Sequence, residues 1–230
     1  MKVILLRHTP EPENTVALAA KLCYSSSSIT ELEDETGDGS NQKFLTKILS
    51  LGHLSVLEHA SFTFGIEGIS RANSHQLVRH RLASYSQQSQ RYVKADTKLV
   101  KVVTPHTIND NAEAKKLFDD FTKDAYATYG KLTELGIPKE DARYVLPNAA
   151  ETKIIVTMNA RELIHFFLLR CCERAQWEIR EMATEMLSLA KIIAPFIFKD
   201  AGPGCVAGSC AEGEMTCGKP KETREKFKNL

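Results

Sequence analysis

Short apolar runs and amphipathic stretches follow one another irregularly along the chain. Apolar runs and alternations of apolar and polar residues are typical of strands, and β-branched residues favour strands further. These signals predict strands at Val3–Leu6, 62–66, Leu99–Val103 and Lys153–Thr157. Pro105 would stop the third of them.

Apolar residues at three- and four-residue steps, or the absence of helix breakers, predict the helices. The predicted helices are Glu11–Leu22, Gln42–Leu51, Ile69–Arg81, Asp110–Leu135, Pro138–Tyr144 and Asn159–Ile193. Ser40 or Asn41 could cap the second, and Asn159 with Glu162 fits a capping box at the start of the last. Because strands and long helices do not alternate regularly, the predicted fold class is α+β.

Two further features concern one predicted helix, which carries a clear apolar stripe, and the C-terminal end, whose composition differs from that of the preceding chain. The stripe, in the fourth predicted helix, consists of Leu117, Phe121, Ala125, Tyr129 and Leu132. Residues 202–218 are rich in Gly and Cys, and Lys219–Leu230 is a charged stretch that could be disordered. We therefore expect one domain over residues 1–200 and a C-terminal tail over residues 201–230.

Composition and charge exclude several classes of protein. The 230 residues include 30 Lys and Arg and 29 Asp and Glu, a net charge of +1. This near-neutral charge argues against a general nucleic-acid coat, although not against a local basic patch. No apolar run approaches the ~18–20 residues of a membrane helix, and Met1–Arg7 is too short for a signal peptide. The six cysteines then do not indicate a disulfide framework, and the cytoplasm is the expected compartment.

The densest group of candidate functional side chains is Gln76–Arg91. Gln76, Arg79 and His80 share one helical face, and a run of hydroxyl and amide side chains follows. Guanidinium groups bind phosphate bidentately, so the segment would suit a phosphorylated ligand with a hydrogen-bonding ring. A solvated basic helix end followed by a polar loop would have the same composition.

A second group, Asn159, Arg161, His165 and Arg170, lies along the last predicted helix. That helix is apolar over much of its remaining surface, which predicts that it is largely buried. Buried polar groups need partners, so a capped helix with core salt bridges would explain the same residues.

Two further groups contain residue types that bind metals. His53–His59 has two histidines at its ends but no evident third ligand, so we interpret it as a structural cluster. Cys205, Cys210 and Cys217 lack a zinc-finger spacing, although a fourth ligand from elsewhere could complete a site. Cys171–Cys172 lies in mid-helix and is interpreted as packing. Our prediction is that the chain has no metal site.

Two alternative functions rest on single segments. Arg7-His8-Thr9 after the first strand is similar to the nucleophilic-histidine phosphatases, but those enzymes have Gly where this chain has Thr9. The basic segment Arg79–Arg91 could also belong to a non-catalytic nucleic-acid binding module. Such a module would bind oligonucleotides with a strong dependence on salt.

A set of separated motifs has the order and spacing of one enzyme family. Arg79-His80-Arg81 is followed after seven residues by Ser89 and then by Arg91. The other motifs are His53-x-Ser55-x-x-Glu58-His59, Arg143-Tyr144-Val145-Leu146-Pro147, Asn159-Ala160-Arg161-x-Leu163, Leu169-Arg170 and Ala175-Gln176-Trp177-Glu178-Ile179-Arg180. Together these motifs resemble the flavin-dependent thymidylate synthases over roughly residues 1–198.

The resemblance implies a single α+β domain in which an antiparallel sheet packs with long helices. It implies the reductive methylation of dUMP to dTMP, with methylenetetrahydrofolate as one-carbon donor, NADPH as reductant, FAD as cofactor and no enzyme nucleophile. It also implies a homotetramer with sites at subunit interfaces, and neither nucleic acid nor membrane as a partner.

The resemblance further assigns roles residue by residue. For FAD it implies His53, Ser55, Glu58, Arg79, His80, Arg81, Gln87, Asn159, Ala160, Arg161 and His165. For dUMP it implies Gln76, Leu77, Val78, Arg79, Gln87, Gln88, Ser89, Gln90, Arg91, Arg143 and Arg170. Arg170 is the expected catalytic residue, because a fixed guanidinium would stabilise negative charge on the pyrimidine carbonyls. Gln87 stands where the family can have an acidic residue, and His165 where it can have Asn.

Overall fold

Four strands form one sheet in the computed structural model, which describes residues 1–34 and 41–230. They are β1 (Lys2–His8), β2 (Ser61–Ser70), β3 (Ala83–Gln87) and β4 (Glu151–Asn159), in the order β1-β2-β4-β3. The Thr63 and Thr157 hydroxyls meet at 2.9 Å, and the Arg71 N–H donates to the Ala150 carbonyl at 3.0 Å. Rising numbers on β2 thus pair with falling numbers on β4, as in an antiparallel sheet. The predicted α+β fold class is confirmed.

Helices make up most of the remaining regular structure. They are α1 (Pro12–Leu22), α2 (Ile29–Asp34), α3 (Asn41–Ser50), α4 (Arg71–Leu77), α5 (His106–Asn109), α6 (Ala112–Glu134), α7 (Lys139–Ala142), α8 (Ala160–Arg170), α9 (Trp177–Ile193), α10 (Gly204–Ala207) and α11 (Pro220–Lys228). Short 3-10 helices cover Leu54–His59, Arg143–Val145 and Gly213–Met215. The predicted cap at Ser40 lies outside the described residues, and Asn41 is already within α3.

The chain divides into two compact units. The first comprises Met1–Lys2, Ile66–Arg79 and Ser86–Ile154, and the second comprises Val3–Gly65, His80–Tyr85 and Ile155–Leu230. In the first unit, one face of the C-terminal half of α6 is buried, and the Tyr126 hydroxyl donates to the Lys101 carbonyl at 2.8 Å. The N-terminal half of the predicted stripe is not buried, since Leu117 and Phe121 are 66% and 62% exposed.

Phenylalanine rings fill the core of the second unit. The Phe62 and Phe198 rings stand edge to face with centroids 5.4 Å apart, and the Phe167 ring lies 6.0 Å from that of Phe198. Phe166 packs on Phe167 with centroids 5.7 Å apart. Edge-to-face packing at these separations is favourable for aromatic rings, so β2, α8 and the residues after α9 share one core.

The longest predicted helix is interrupted between α8 and α9. Gln176 caps α9 by accepting from the Glu178 and Ile179 N–H groups, and the Arg180 guanidinium donates to the Glu173 and Ala175 carbonyls. These bonds satisfy backbone groups that would otherwise be unpaired at a break between helices. The sequence did not reveal this break, because apolar residues continue at helical spacing on both sides of it.

Three other predictions are corrected or completed. Leu99–Val103 is not a strand; it forms only an isolated antiparallel bridge between Val102 and Ala150. The predicted helix over Ile69–Arg81 is shorter, because β2 continues to Ser70, whose hydroxyl caps α4. The charged end of the chain is ordered as α11, which buries Phe227 completely.

Candidate active site

In the second unit, a buried histidine lies between an acidic and a basic side chain. Nδ1 of His80 is 3.1 Å from Oε1 of Glu162, and both side chains are almost fully buried. On the other side of the ring, Nε of Arg170 donates to Nε2 of His80 at 3.0 Å. Glu162, His80 and Arg170 therefore form one hydrogen-bonded row, which we call the Glu–His–Arg row.

The Glu–His–Arg row determines the protonation of the imidazole. A guanidinium has donors only, so Nε2 of His80 must accept from Arg170 and carries no proton. Nδ1 then carries the ring proton and donates to the Glu162 carboxylate. Burial lowers the pKa of His80 and Arg170 adds to this effect, against the opposing hydrogen bond to Glu162. A neutral His80 thus holds the Arg170 guanidinium in one orientation.

Acid is expected to destabilise the fold through His80. The pKa of histidine in the unfolded chain is near 6.5, and the pKa of folded His80 is lower. Below pH 6.5 the unfolded state therefore binds a proton that the folded state resists, and the free energy of unfolding falls as the pH falls. Urea titrations at several pH values should show this fall in the wild type and in His59→Gln, an exposed control, but a shallower fall in His80→Gln. Equal pH slopes in all three proteins would contradict a lowered pKa.

Local structure positions each member of the Glu–His–Arg row. Oδ1 of Asn159 accepts from the Glu162 N–H at 2.9 Å, which confirms the predicted cap of α8. The Glu162 carboxylate accepts from His80, a role that the capping-box pattern did not predict. The Tyr85 hydroxyl on β3 donates to the His80 carbonyl at 2.8 Å, and the Phe166 ring stands edge-on 4.9 Å from the imidazole.

Arg161 and His165, both predicted to bind FAD, lie on the exposed part of α8. Nη1 of Arg161 is 2.5 Å from Oε1 of Glu58, another FAD candidate, and about half of each side chain is exposed. The His165 ring lies 5.9 Å from the His80 ring. The structure therefore brings these predicted residues together in pairs.

The remaining FAD candidates of the second unit lie near the 3-10 helix Leu54–His59 or close to His80. The His53 ring is 3.4 Å from the Tyr24 hydroxyl, and Ser55 is exposed. Ala160 is fully buried and donates its N–H to the Ala60 carbonyl at 2.8 Å. Arg81 is exposed, and its guanidinium has no ion-pair partner within residues 1–34 and 41–230.

In the first unit, the dUMP candidates Gln76–Arg79 lie at the end of α4. The Leu77 side chain is completely buried and packs in the core, whereas Val78 and Arg79 are exposed. In the described part of the chain, the Arg79 guanidinium has no ion-pair partner. Arg79 is thus a cation that is available to an anionic ligand.

The loop after β3 carries the other dUMP candidates. Gln87 donates to the Thr152 hydroxyl at 3.2 Å, and the Gln88 N–H donates to the Lys153 carbonyl at 3.0 Å. The Ser89 hydroxyl accepts from the Arg91 N–H at 3.1 Å. Nε of Arg91 donates to Glu140 at 2.6 Å, so a phosphate bound at Arg91 would compete with that carboxylate.

A cavity of about 250 Å³ in the first unit contains a basic residue that sequence reasoning missed. Arg71, Gln90 and Arg143 line it together with His75, Tyr144, Leu146, Pro147 and Asn148, and no carboxylate contributes. Burial lowers the pKa of Arg71, and the nearby charge of Arg143 lowers it further. The Arg71 and Arg143 guanidiniums repel each other, and no carboxylate of the cavity lining compensates their charge. A bound anion would relieve this repulsion. The spacing of Arg71, His75 and Arg79 at four-residue steps was the signal that could have revealed Arg71.

His8, the basis of the phosphatase alternative, has a different setting. It is the last residue of β1 and is exposed, and Nδ1 of its ring lies 2.9 Å from the Thr9 carbonyl. The Arg7 guanidinium donates to the Leu6 carbonyl at 2.6 Å. The cation next to His8 is therefore bonded to backbone.

Comparisons with known proteins agree on one family. A family model described as thymidylate synthase complementing protein matches residues 4–196. The chain is 60% identical to a flavin-dependent thymidylate synthase of Geobacter sulfurreducens, an alignment that covers 100% of this chain and 99% of the relative. It is 48% identical to the enzyme of the same name from Clostridium tetani, over 98% and 96% of the two chains.

A solved structure has the same fold. The UMP/dUMP methylase PolB from Streptomyces cacaoi, bound with 5-Br dUMP, superposes with a TM-score of 0.74 at 23% identity. The match covers 85% of this chain and 92% of that one. No helix in the described residues is both long enough and apolar enough to cross a membrane.

Proposed function

This chain belongs to the flavin-dependent thymidylate synthase family, and we propose that the Glu–His–Arg row carries the reaction of that family. The enzyme is a methyltransferase that converts dUMP to dTMP, with methylenetetrahydrofolate as one-carbon donor and FAD and NADPH for the reduction. The resemblance stated from the motifs is therefore confirmed. The histidine phosphatase and the nucleic-acid binding module are not favoured.

For the second unit we propose FAD binding. Two arginines could bind the diphosphate of FAD. Arg81 is exposed and has no ion-pair partner in the described residues, and Arg161 lies in the first turn of α8. We propose that the FAD contacts in this unit are His53, Ser55, Glu58, His80, Arg81, Asn159, Ala160, Arg161 and His165, and in the first unit Arg79 and Gln87. When bound, FAD would supply the hydride chemistry that amino-acid side chains lack.

For the first unit we propose dUMP binding. The proposed contacts are Gln76, Leu77, Val78, Arg79, Gln87, Gln88, Ser89, Gln90, Arg91 and Arg143. Leu77 could contribute only backbone atoms, because its side chain is buried. The carboxylate-free cavity of Arg71 and Arg143 supports a phosphate site there, and we add Arg71 to the set.

For Arg170 we propose a role at the pyrimidine ring of dUMP. Its guanidinium keeps its charge at any working pH and is oriented by His80. It would stabilise negative charge on the ring carbonyls, which makes the ring carbon more nucleophilic. Neutral His80 adds no second positive charge beside Arg170, and Glu162 keeps the ring proton on Nδ1.

Arg71→Ala should weaken dUMP binding about ten- to a hundredfold, since a charge-assisted hydrogen bond contributes roughly 1.5–3 kcal/mol. Binding of deoxyuridine, which lacks the phosphate, should not change. Isothermal titration calorimetry of both ligands measures the difference, and Lys131→Ala, an exposed cation on α6, is the matched control. Wild-type affinity of Arg71→Ala for dUMP would exclude Arg71 from the phosphate site.

We also propose a cytoplasmic homotetramer with sites at subunit interfaces. The six cysteines are all free thiols, which fits a reducing compartment. The match of the family model to residues 4–196 supports a synthase domain over residues 1–200 and an appended tail over residues 201–230. Sedimentation velocity of the purified protein, with and without dUMP, measures the subunit number.

The observation that carries this proposal is the buried Glu–His–Arg row, since it fixes a guanidinium on a neutral imidazole. Its test is the conversion of dUMP to dTMP by the purified protein with FAD, NADPH and methylenetetrahydrofolate, omitting each in turn. dTMP should form only when dUMP, FAD, NADPH and methylenetetrahydrofolate are all present. Absence of dTMP with folded protein, together with phosphate release that His8→Ala abolishes, would favour the phosphatase.

A further inference from the structure

Four cysteines from three separate segments line one small cavity of the second unit. Cys172 comes from the turn after α8, Cys205 from α10, and Cys210 and Cys217 from the loop before α11. The cavity has a volume of about 80 Å³ and is otherwise lined mainly by small or apolar residues and by Glu173 and Glu212. The catalytic proposal makes no use of it.

In the loop that contains Cys210 and Cys217, these two residues are partly buried. Over residues 207–219, every residue other than Cys210 and Cys217 is exposed. Hydrogen bonds within residues 209–218 are local, such as that from the Met215 N–H to the Glu212 carbonyl. A segment with so little buried apolar surface gains little stability from packing and commonly depends on disulfides or metal. The cysteines are the residues of this loop that could provide such a link.

The four thiols share one small space, because Cys172, Cys205, Cys210 and Cys217 all line the same cavity of about 80 Å³. A cation is also at hand: the Arg224 guanidinium donates to the Cys205 carbonyl at 3.0 Å and to the Gly208 carbonyl at 3.1 Å. Four thiolates around a divalent ion leave a net negative charge, which Arg224 would partly compensate.

In contrast to the sequence-based prediction of no metal site, we propose that Cys172, Cys205, Cys210 and Cys217 bind one zinc ion. Cys172 is the ligand from elsewhere that the spacing of the other three left open, and four cysteines are a common set for structural zinc. No group of three or more His, Cys, Asp and Glu within residues 1–34 and 41–230 is already spaced to hold a metal. Zinc binding by these four thiols therefore requires the exposed loop to close around the ion, as expected where metal binding and local folding are coupled. Each ligating thiol gives its proton to the solvent.

The ion would tie the C-terminal segment to the turn that follows Arg170. Cys172 is two positions beyond Arg170, whereas Cys210 and Cys217 lie before α11. α11 also contacts α9 through Lys191, whose Nζ donates to the Phe227 carbonyl at 2.6 Å. The zinc site is thus structural, and it lies outside the proposed ligand contacts.

The test measures metal in the full-length protein. Protein prepared with zinc and dialysed against metal-free buffer should retain one zinc ion per chain by elemental analysis. Cobalt substitution should give thiolate charge-transfer bands and the intense visible bands of a tetrahedral site. Cys210→Ser and Cys217→Ser should each bind zinc about tenfold more weakly or worse, whereas Cys23→Ser, an exposed cysteine after α1, should match the wild type.

Three results would overturn the proposal. The first is that wild-type protein contains no stoichiometric zinc and shows no cobalt–thiolate bands. The second is that the Cys210→Ser and Cys217→Ser proteins bind zinc like the wild type. The third is that thiol titration of metal-free, denatured protein, prepared without reductant, finds fewer than the six thiols of the sequence. That result would assign the cluster to disulfides. Neither the metal measurements nor the thiol titration depends on dTMP formation. Failure of the zinc proposal can therefore be distinguished from failure of the proposed function.

Discussion

Arg170→Ala should lower kcat for dTMP formation by at least about a hundredfold, the usual effect of removing one preorganised charge-stabilising donor. The guanidinium is held by His80 at 3.0 Å, and His80 is held in turn by Glu162 at 3.1 Å. Alanine removes the positive charge that would stabilise the pyrimidine carbonyls, and no other group of the row can replace it. Initial rates at saturating dUMP measure the effect.

Two further variants separate the charge of Arg170 from its orientation. Arg170→Lys keeps the charge but lacks the planar guanidinium with its Nε–H, so its rate should recover only in part. Arg174→Ala removes an exposed arginine four residues away and should behave like the wild type. A wild-type rate in Arg170→Ala would show that the assigned role is wrong.

Glu162→Ala should both destabilise the fold and lower kcat. The Nδ1–H of His80 is buried, and without Glu162 it loses its acceptor. An unpaired buried donor costs about 1–3 kcal/mol, which is measurable by urea unfolding. The imidazole could then place its proton on either nitrogen, and a proton on Nε2 would repel the Arg170 donor. We therefore expect kcat to fall by about tenfold or more, a consequence of misplacing a catalytic group.

Glu162→Gln provides the comparison that isolates the carboxylate charge. Glutamine keeps an acceptor for Nδ1–H, so most of the lost stability should return. Because the negative charge is absent, the pKa of His80 should fall further in Glu162→Gln, as followed by NMR titration of its ring protons. Glu185→Gln, an exposed change on α9, should alter neither quantity. Unchanged stability and rate in Glu162→Ala would exclude Glu162 from positioning His80.

Local sequence patterns predicted those parts of the molecule that local interactions determine. The cap at Asn159 depends on a residue three positions away and was predictable. The partner of the Glu162 carboxylate is His80, 82 positions earlier, and no local pattern indicates it. β3 was missed because Ala83–Gln87 is mostly polar and carries no apolar alternation.

The candidate site was predictable only through motifs. Composition around Gln76–Arg91 fits a solvated loop as well as a binding site, and the resemblance decided between the two. The contribution of Arg71 depends on burial beside Arg143, which a sequence does not reveal. The same holds for Cys172, whose place beside the C-terminal cysteines results from the turn between α8 and α9.

The most direct test of the central claim is the visible absorption spectrum of the purified protein after incubation with FAD and removal of the excess. We predict the spectrum of bound oxidised flavin, which NADPH bleaches under anaerobic conditions when dUMP is present. Failure to retain any flavin from excess FAD, even with dUMP present, would contradict a flavin-dependent reaction in this protein.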